Sequence, residues 1–458
     1  MNVLFLKLSE KLVNKNLHPQ DMQPNLSISY AMSLLEKENH ETFLIDTEVM
    51  DLNQNRLINE IKKLKPNFIF IDTLPPLIKT TIDLCKIFKL ICNPKICIIN
   101  QPENIFNLFL YKNSPIDICT FGEYELTIKE IVQNKNYIKG TAFYRNKIVF
   151  TKERPLIKDL DSIGFPKHGD LLKYDYDMLY PVRINKKIKW GHIMSSRGCP
   201  YKCIFCSLRV SYGKQIRLRS IKNIVNEMHY LKSKGVNVIN FVDDNFFITK
   251  ERIKELYEEI KKRNLKVKWI IQTRAENLDI ETLKLMKKAG CSTICFGVES
   301  GSDRILKIIK KGITKTQIIN AFMLCRKMGI LTVGYFIIGS PTETENEARE
   351  TIKFCKQLKP DLIQVSFFTP YPSSDIYSKL KKINIDNLSH YNKISYNFSY
   401  TNSNKLKNLQ KTFYKNYLLN PIFLTKFMLR RIPYSIANFK KELDLFNKSL
   451  NFLLMKNE

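Results

Sequence analysis

Short, nearly continuous apolar runs alternate with stretches of helical spacing along most of this chain. In the first third, residues 3–6, 42–45, 67–71, 96–99 and 116–119 read as five strands, the second and third running on to Asp46 and Asp72. Between the first two, residues 28–35 carry apolar side chains at helical spacing. Strands that are apolar on both faces and separated by helices predict a parallel, doubly wound α/β sheet of Rossmann or flavodoxin-like plan over residues 1–135. Ligands on such a sheet bind beyond the carboxyl ends of its strands. Residues 136–189 read as a connector: a hairpin turning at Arg145-Asn146, then a Gly- and Pro-punctuated stretch over 160–166. From 190 to 385 the alternation returns, with strands at 190–195, 237–242, 267–273, 292–298, 331–338 and 361–367. A helical pattern follows each, as at Ile221, Ile224, Val225, Met228 and Leu231. Six βα units predict a partial TIM-type (β/α)6 barrel, short of the eight of a closed one. Residues 386–458 read as a helical extension.

Functional residues of such barrels gather at the carboxyl ends of strands. After the first strand, Ser-Arg-Gly-Cys-Pro-Tyr-Lys-Cys-Ile-Phe-Cys over 196–206 sets Cys199, Cys203 and Cys206 in a CxxxCxxC pattern. Three thiolates this close can bind one face of an iron–sulfur cluster, and a missing fourth leaves one iron open to a ligand. A zinc knuckle and three unrelated buried cysteines are the alternatives. Zinc spacings usually come as two pairs, no second pair lies nearby, and His192 is the only close imidazole. After the second strand, Asp243, Asp244 and Asn245 suit a metal or substrate hydroxyls, or cap the next helix. Arg274, after the third, suits an anionic group through a bidentate fork, or a structural salt bridge. After the fourth come Glu299 and Ser300, able to bond sugar hydroxyls, and Gly301, which permits close backbone approach. Gly339 ends the fifth strand before Ser340-Pro341-Thr342-Glu343, and 367–374 follows the sixth. Cys291, Cys295, Cys325 and Cys355 read as core; Lys310-Lys311 and Lys261-Lys262-Arg263 read as solvated helix faces.

The string RGCPYKCIFC resembles the signature of radical S-adenosylmethionine (SAM) enzymes. The resemblance implies that Cys199, Cys203 and Cys206 hold a 4Fe–4S cluster whose open iron is chelated by SAM. It further implies reductive cleavage of SAM to a 5′-deoxyadenosyl radical, which abstracts hydrogen from substrate. Phe205 is implied beside the adenine and Asp244 near the SAM amino group. Glu299 and Ser300, in a GVESG string, are implied as SAM contacts, and the backbone at Gly339 as an adenine contact. The family usually has glycine where Thr342 stands, and often Gly-Thr where Ser373-Ser374 stand.

The first third resembles the cobalamin-binding domain that precedes the barrel in one large radical SAM branch. Pro24, the run 38–41 leading into Leu44-Ile45-Asp46, and Phe121-Gly122-Glu123-Tyr124-Glu125 carry that resemblance. It implies cobalamin as a further cofactor, although DxHxxG is absent and Asn100-Gln101-Pro102-Glu103 replace the branch's glycine-rich loop. The stretch 160–166 resembles the branch's linker, and Phe413-Tyr414 with Asn420-Pro421 its helical extension, in which Phe427, Leu429, Ile432 and Tyr434 are candidates to cover the barrel's open side. A small-molecule substrate and an electron donor such as flavodoxin or ferredoxin follow from the resemblance. An RNA-modifying enzyme of methylthiotransferase type and a non-catalytic cofactor-binding module are the competing functions.

Composition adjusts this only slightly. The net charge of +30 would suit nucleic acid, yet the lysines are spread over every segment, so nucleic-acid binding is not expected. The tail from 405 to 458 carries 11 Lys/Arg against three acidic residues, which admits membrane-surface contact. No run of about 18 apolar residues predicts a spanning helix. The opening MNVLFLKLSEKLVNKN reads as no export signal, and eleven cysteines without a disulfide framework suit a reducing, cytoplasmic setting.

Overall fold

The computed structural model describes residues 1–12, 23–99, 106–174, 176, 180–182, 184, 187–207, 212–276, 278–380 and 394–418. The loop 100–103 and the tail residues Asn420, Pro421, Phe427, Leu429, Ile432 and Tyr434 lie outside them.

Strands β1 (Asn2–Lys7), β2 (Glu41–Asp46), β3 (Phe68–Asp72), β4 (Lys95–Ile98) and β5 (Ile118–Thr120) form a parallel sheet in the order β2-β1-β3-β4-β5. Alternate side chains of one strand enter opposite cores. Leu4 and Leu6 pack with Leu57, Ile61 and Phe88 on one side; Val3 and Phe5 pack with Ile28, Met32 and Ile131 on the other. Helices therefore cover both faces, which is why these strands are apolar throughout. The register places Lys7, Asp46 and Asp72 level with one another at the carboxyl edge. The hairpin read as part of the connector, β6 (Thr141–Arg145) and β7 (Lys147–Phe150), is bonded antiparallel to β5 and extends this sheet to seven strands.

The second sheet has six parallel strands in the order β15-β14-β13-β12-β11-β8. They are β8 (Trp190–Ile193), β11 (Val238–Phe241), β12 (Lys268–Thr273), β13 (Cys291–Glu299), β14 (Leu331–Ile338) and β15 (Leu362–Phe367). Trp190, Val238, Ile270, Cys295 and Val333, one from each of the first five strands in chain order, form an inner layer with Tyr180. Tyr180 of this layer also lines the cavity described below. The helix Ser403–Leu418 lies along β15: the Tyr414 hydroxyl accepts the Val365 N–H at 2.9 Å, and Phe413 packs on Phe336. An otherwise open sheet edge is thereby covered. The linker side chains Ile157, Leu160 and Ile163 pack between Leu26 and Tyr30 of the first unit and Met194 of the second.

Candidate active site

The cysteine loop hangs from a two-stranded ribbon, β9 (Ser196–Arg197) paired antiparallel with β10 (Arg217–Leu218). Gly198 turns the chain with φ +91°, and a Cβ there would stand 2.2 Å from the Gln215 carbonyl oxygen, so only glycine fits. The loop is then pinned from three sides. Cys199 N–H donates to the Gly213 carbonyl (3.3 Å), Ile204 N–H to Ile309 (3.1 Å), and Ile376 N–H to Ile204 (3.1 Å). Cys203 is buried; Cys199 and Cys206 are half-buried. Burial pushes the Cys199 thiol up, so metal binding must displace its proton. Among the described residues no three Cys, His, Asp or Glu side chains stand where one metal ion could be held. A zinc knuckle needs all its ligands on one atom, whereas a cluster takes its thiolates on different irons; three free cysteine thiols on one loop are donors of the kind a cluster takes.

The strand ends place the other candidates around this loop. Asp243 accepts from the Ser195 N–H (2.6 Å) and the Ser195 and Ser196 hydroxyls, which fixes the chain between β8 and the ribbon. Asp244 takes the Gly198 N–H, yet its Oδ2 is buried without a partner among the described residues, and burial with Asp243 alongside raises its carboxyl to about 7. Neither Asp244 nor Asn245 caps the helix Lys250–Lys262, whose cap is Thr249; Asn245 instead accepts the Arg274 N–H at 3.2 Å. The Arg274 guanidinium lies 3.7 Å from the centre of the Tyr201 ring. It is also ion-paired to Glu276, bonded to the Lys311 carbonyl, and directs an N–H at Cys203 Sγ (3.8 Å). Hydrogen bonds to ligating sulfurs are one way proteins tune iron–sulfur potentials.

At the end of β13 the register slips between Gly297 and Glu299, and Glu299 takes φ +62°. Bulges of this kind re-aim a side chain beside a site. The Glu299 carboxylate meets Lys311 Nζ at 2.7 Å, with both side chains buried. This corrects the solvated reading of Lys311. Ser300 faces the other way: its hydroxyl bonds Thr351 and accepts the Ser302 N–H. Gly339, at φ +81°, gives its N–H to Glu343 Oε2. Thr342 and Ser373 both hold left-handed backbone, at φ +59° and +74°, so these two turns keep the conformation that glycine favours.

A cavity of about 520 Å³ opens between the carboxyl edges of the two sheets. Gln272, Tyr335 and Gln364 line it from the barrel strands, Phe205 and Glu299 from the cysteine loop and β13, and Lys7 and Glu48 from the first unit. Tyr180 and Tyr335 share a hydroxyl–hydroxyl bond of 2.6 Å, and Gln272 Nε2 reaches Tyr180 at 3.2 Å.

The family model of the radical SAM superfamily matches residues 193–355. An uncharacterized methyltransferase of Pyrococcus horikoshii is 34% identical over 367 residues, 77% of this chain and 78% of that protein. The chain belongs to the radical SAM superfamily. The anaerobic magnesium-protoporphyrin IX monomethyl ester cyclase of Rubrivivax gelatinosus is 28% identical over 390 residues, 81% of this radical SAM chain and 68% of the cyclase. The solved structure of OxsB, a cobalamin-dependent SAM radical enzyme with aqua-cobalamin and SAM bound, matches with a TM-score of 0.69 at 17% identity. That match covers 97% of this chain and 72% of OxsB, and it is a likeness of fold.

For a radical SAM protein, the residues that sequence reasoning missed are the ones that serve the named ones. Lys311, Tyr201 and Glu276 surround Glu299 and Arg274, but nothing in their local spacing announces it. Of the four cysteines in the first unit, Cys85, Cys97 and Cys119 are buried in the apolar cores of the first sheet and Cys92 is half-buried at the end of a helix; among the described residues they do not gather into a second cluster face of the kind the RNA-modifying alternative requires. Cys291, Cys295, Cys325 and Cys355 are buried core residues, as expected. No helix among the described residues is long and apolar enough to cross a membrane.

Proposed function

We propose that this radical SAM protein methylates, rearranges or cyclises a small molecule, with cobalamin as its second cofactor. The observation that carries the reading is the shared cavity, onto which the carboxyl edges of both sheets open. A group held on the first sheet would therefore face the barrel's strand ends, which suits the rule for ligands on such sheets. The loops that follow β1 and β4 in sequence, 13–22 and 100–105, lie outside the described residues. The names of the relatives, a methyltransferase and a cyclase, support the reaction classes.

When bound, the cluster supplies the electron that cleaves SAM, and cobalamin supplies a carrier for a methyl group. The chain's own residues do the rest. Cys199, Cys203 and Cys206 hold the cluster, and Arg274 donates to Cys203 while stacking on Tyr201. Asp244, with its unpartnered oxygen, suits the SAM amino group. Glu299 and Lys311, a buried pair of opposite charge, suit the zwitterionic end or the ribose of SAM. Phe205 offers a ring face to adenine, with Gly339 supplying backbone nearby. Ser300 supports the turn after Glu299 through its bonds to Thr351 and Ser302. Gln272, Tyr335 and Gln364 present amide and hydroxyl groups to a substrate. A flavodoxin or ferredoxin in a reducing, cytoplasmic setting would supply electrons. On this reading residues 1–135, extended by the hairpin β6–β7, carry cobalamin, the remainder of 136–189 connects, 190–385 form the catalytic barrel and 386–458 are accessory.

The test is anaerobic reconstitution of the full chain with iron, sulfide and hydroxocobalamin, then incubation with SAM and a one-electron reductant. Retained corrinoid absorbance together with 5′-deoxyadenosine formation, the latter abolished in Cys203→Ala, is the expected result. Corrinoid that does not stay bound, or SAM cleavage that survives Cys203→Ala, would reject it.

A further inference from the structure

Arg197 immediately precedes the Gly198 turn, and its side chain is 1% exposed. Its charge is met by the first unit. Nη2 bonds Glu125 Oε1 at 2.7 Å and Nη1 reaches Glu123 Oε1 at 3.3 Å. The rings of Tyr30 and Tyr212 lie against the guanidinium, their centres 5.5 and 5.2 Å away. From the other strand of the ribbon, Arg217 Nη2 meets the same Glu123 oxygen at 2.6 Å, while its Nη1 holds the Ile157 carbonyl. Glu125 opens the helix Glu125–Val132 of the first unit, and its second oxygen has no other partner among the described residues. Both strands that carry the cysteine loop are thus tied, through two arginines, to two carboxylates outside the barrel.

We infer that Glu123 and Glu125 are positioning residues for the cluster, acting through Arg197 and Arg217 on the ribbon that presents Cys199. The two positive and two negative groups balance in a buried setting, where the planar Arg197 guanidinium spans both carboxylates with one charge-assisted bond to each and so fixes geometry as well as charge. Gly198 leaves the loop no slack, because its backbone is already packed against Gln215. A shift of the Arg197 anchor is therefore passed to Cys199, two residues on. The inference rests on the cluster reading above.

The experiment uses the full chain, reconstituted anaerobically, as wild type, Glu125→Gln, Arg197→Gln and the double variant. Three quantities are read: thermal midpoint by circular dichroism, the rate of iron loss to a chelator, and the EPR g values of the reduced cluster with and without SAM. Each single variant leaves a buried charge unpaired, so its midpoint falls; the double variant removes both charges and recovers the midpoint. If the carboxylates position the cluster, the double variant still loses iron faster than wild type, by about tenfold to a hundredfold where the usual affinity cost of losing an outer-shell partner falls on the loss rate. Its EPR response to SAM is also altered. Iron retention and g values that recover together with the midpoint would overturn the inference, leaving the pair a merely structural contact. So would single variants that hold iron as wild type does. Wild-type protein that binds no iron would overturn the cluster reading and this inference with it, whereas a wild-type cluster unaffected in every variant overturns this inference alone.

Discussion

Single residues in this site act mostly by where they force the backbone to go. At Gly198 a left-handed turn and a carbonyl 2.2 Å from any Cβ coincide. Gly198→Ala is expected to cost about 2 kcal/mol or more in chemical denaturation, since the strained φ alone costs ~1–2 kcal/mol. Glu343 is a different case. Burial raises its carboxyl from 4.5 to about 8, although the Gly339 and Ser340 N–H groups hold it down in part, and its Oε1 is buried without a partner among the described residues. The folded state thus binds this proton more tightly than the unfolded chain. The stability it contributes is fully present below pH 4.5 and is lost as pH rises through about 8. Glu343→Gln keeps an acceptor for both N–H groups, so the urea midpoint of the variant should fall less between those pH values than that of wild type. An unchanged pH slope would refute this account of Glu343. At this scale the sequence singled out residues whose motif is contiguous, such as the three cysteines that the structure places on one loop. It concealed Lys311, whose partner Glu299 is 12 positions away across a helix and a turn, and which sits in a lysine pair that looks solvated.

Elements were legible wherever hydrophobic period and capping agreed. The six barrel strands fall within a residue or two of the runs read from the sequence, because each is a short apolar stretch between helices of clear amphipathic spacing. What the sequence could not show was pairing. The hairpin β6–β7 is local, but its attachment to β5 depends on a contact between Cys119 and Ala142 that no spacing encodes. The bulge at the end of β13 was likewise hidden, since Gly297-Val298-Glu299 reads as plain alternation. The helix Glu345–Leu358 shows how a cap also serves the site. Thr344 and Glu347 form a reciprocal capping box, and Glu347 also binds Ser302 and Arg304 after the Glu299 turn. Thr344→Ala should cost about 1 kcal/mol, the usual loss for an N-cap. Glu347→Ala should cost more, because it releases Arg304 as well; equal urea midpoints for the two would contradict this.

Over the whole molecule, two sheets built on the same strand–helix rule turn their carboxyl edges toward one cavity. The alternation of the sequence foretold both sheets. It did not foretell that they would face each other, because that depends on the packing of Ile157, Leu160 and Ile163 and on the buried Arg197–Glu125 contact. The central claim remains the three-cysteine cluster with one iron left for SAM. It is tested most directly by the Mössbauer spectrum of iron-57-reconstituted protein, recorded before and after SAM is added. The account predicts a 4Fe–4S spectrum in which a single iron site changes on addition of SAM, and no cluster in Cys203→Ala. A spectrum that SAM leaves unchanged, or a cluster that persists in Cys203→Ala, would contradict it.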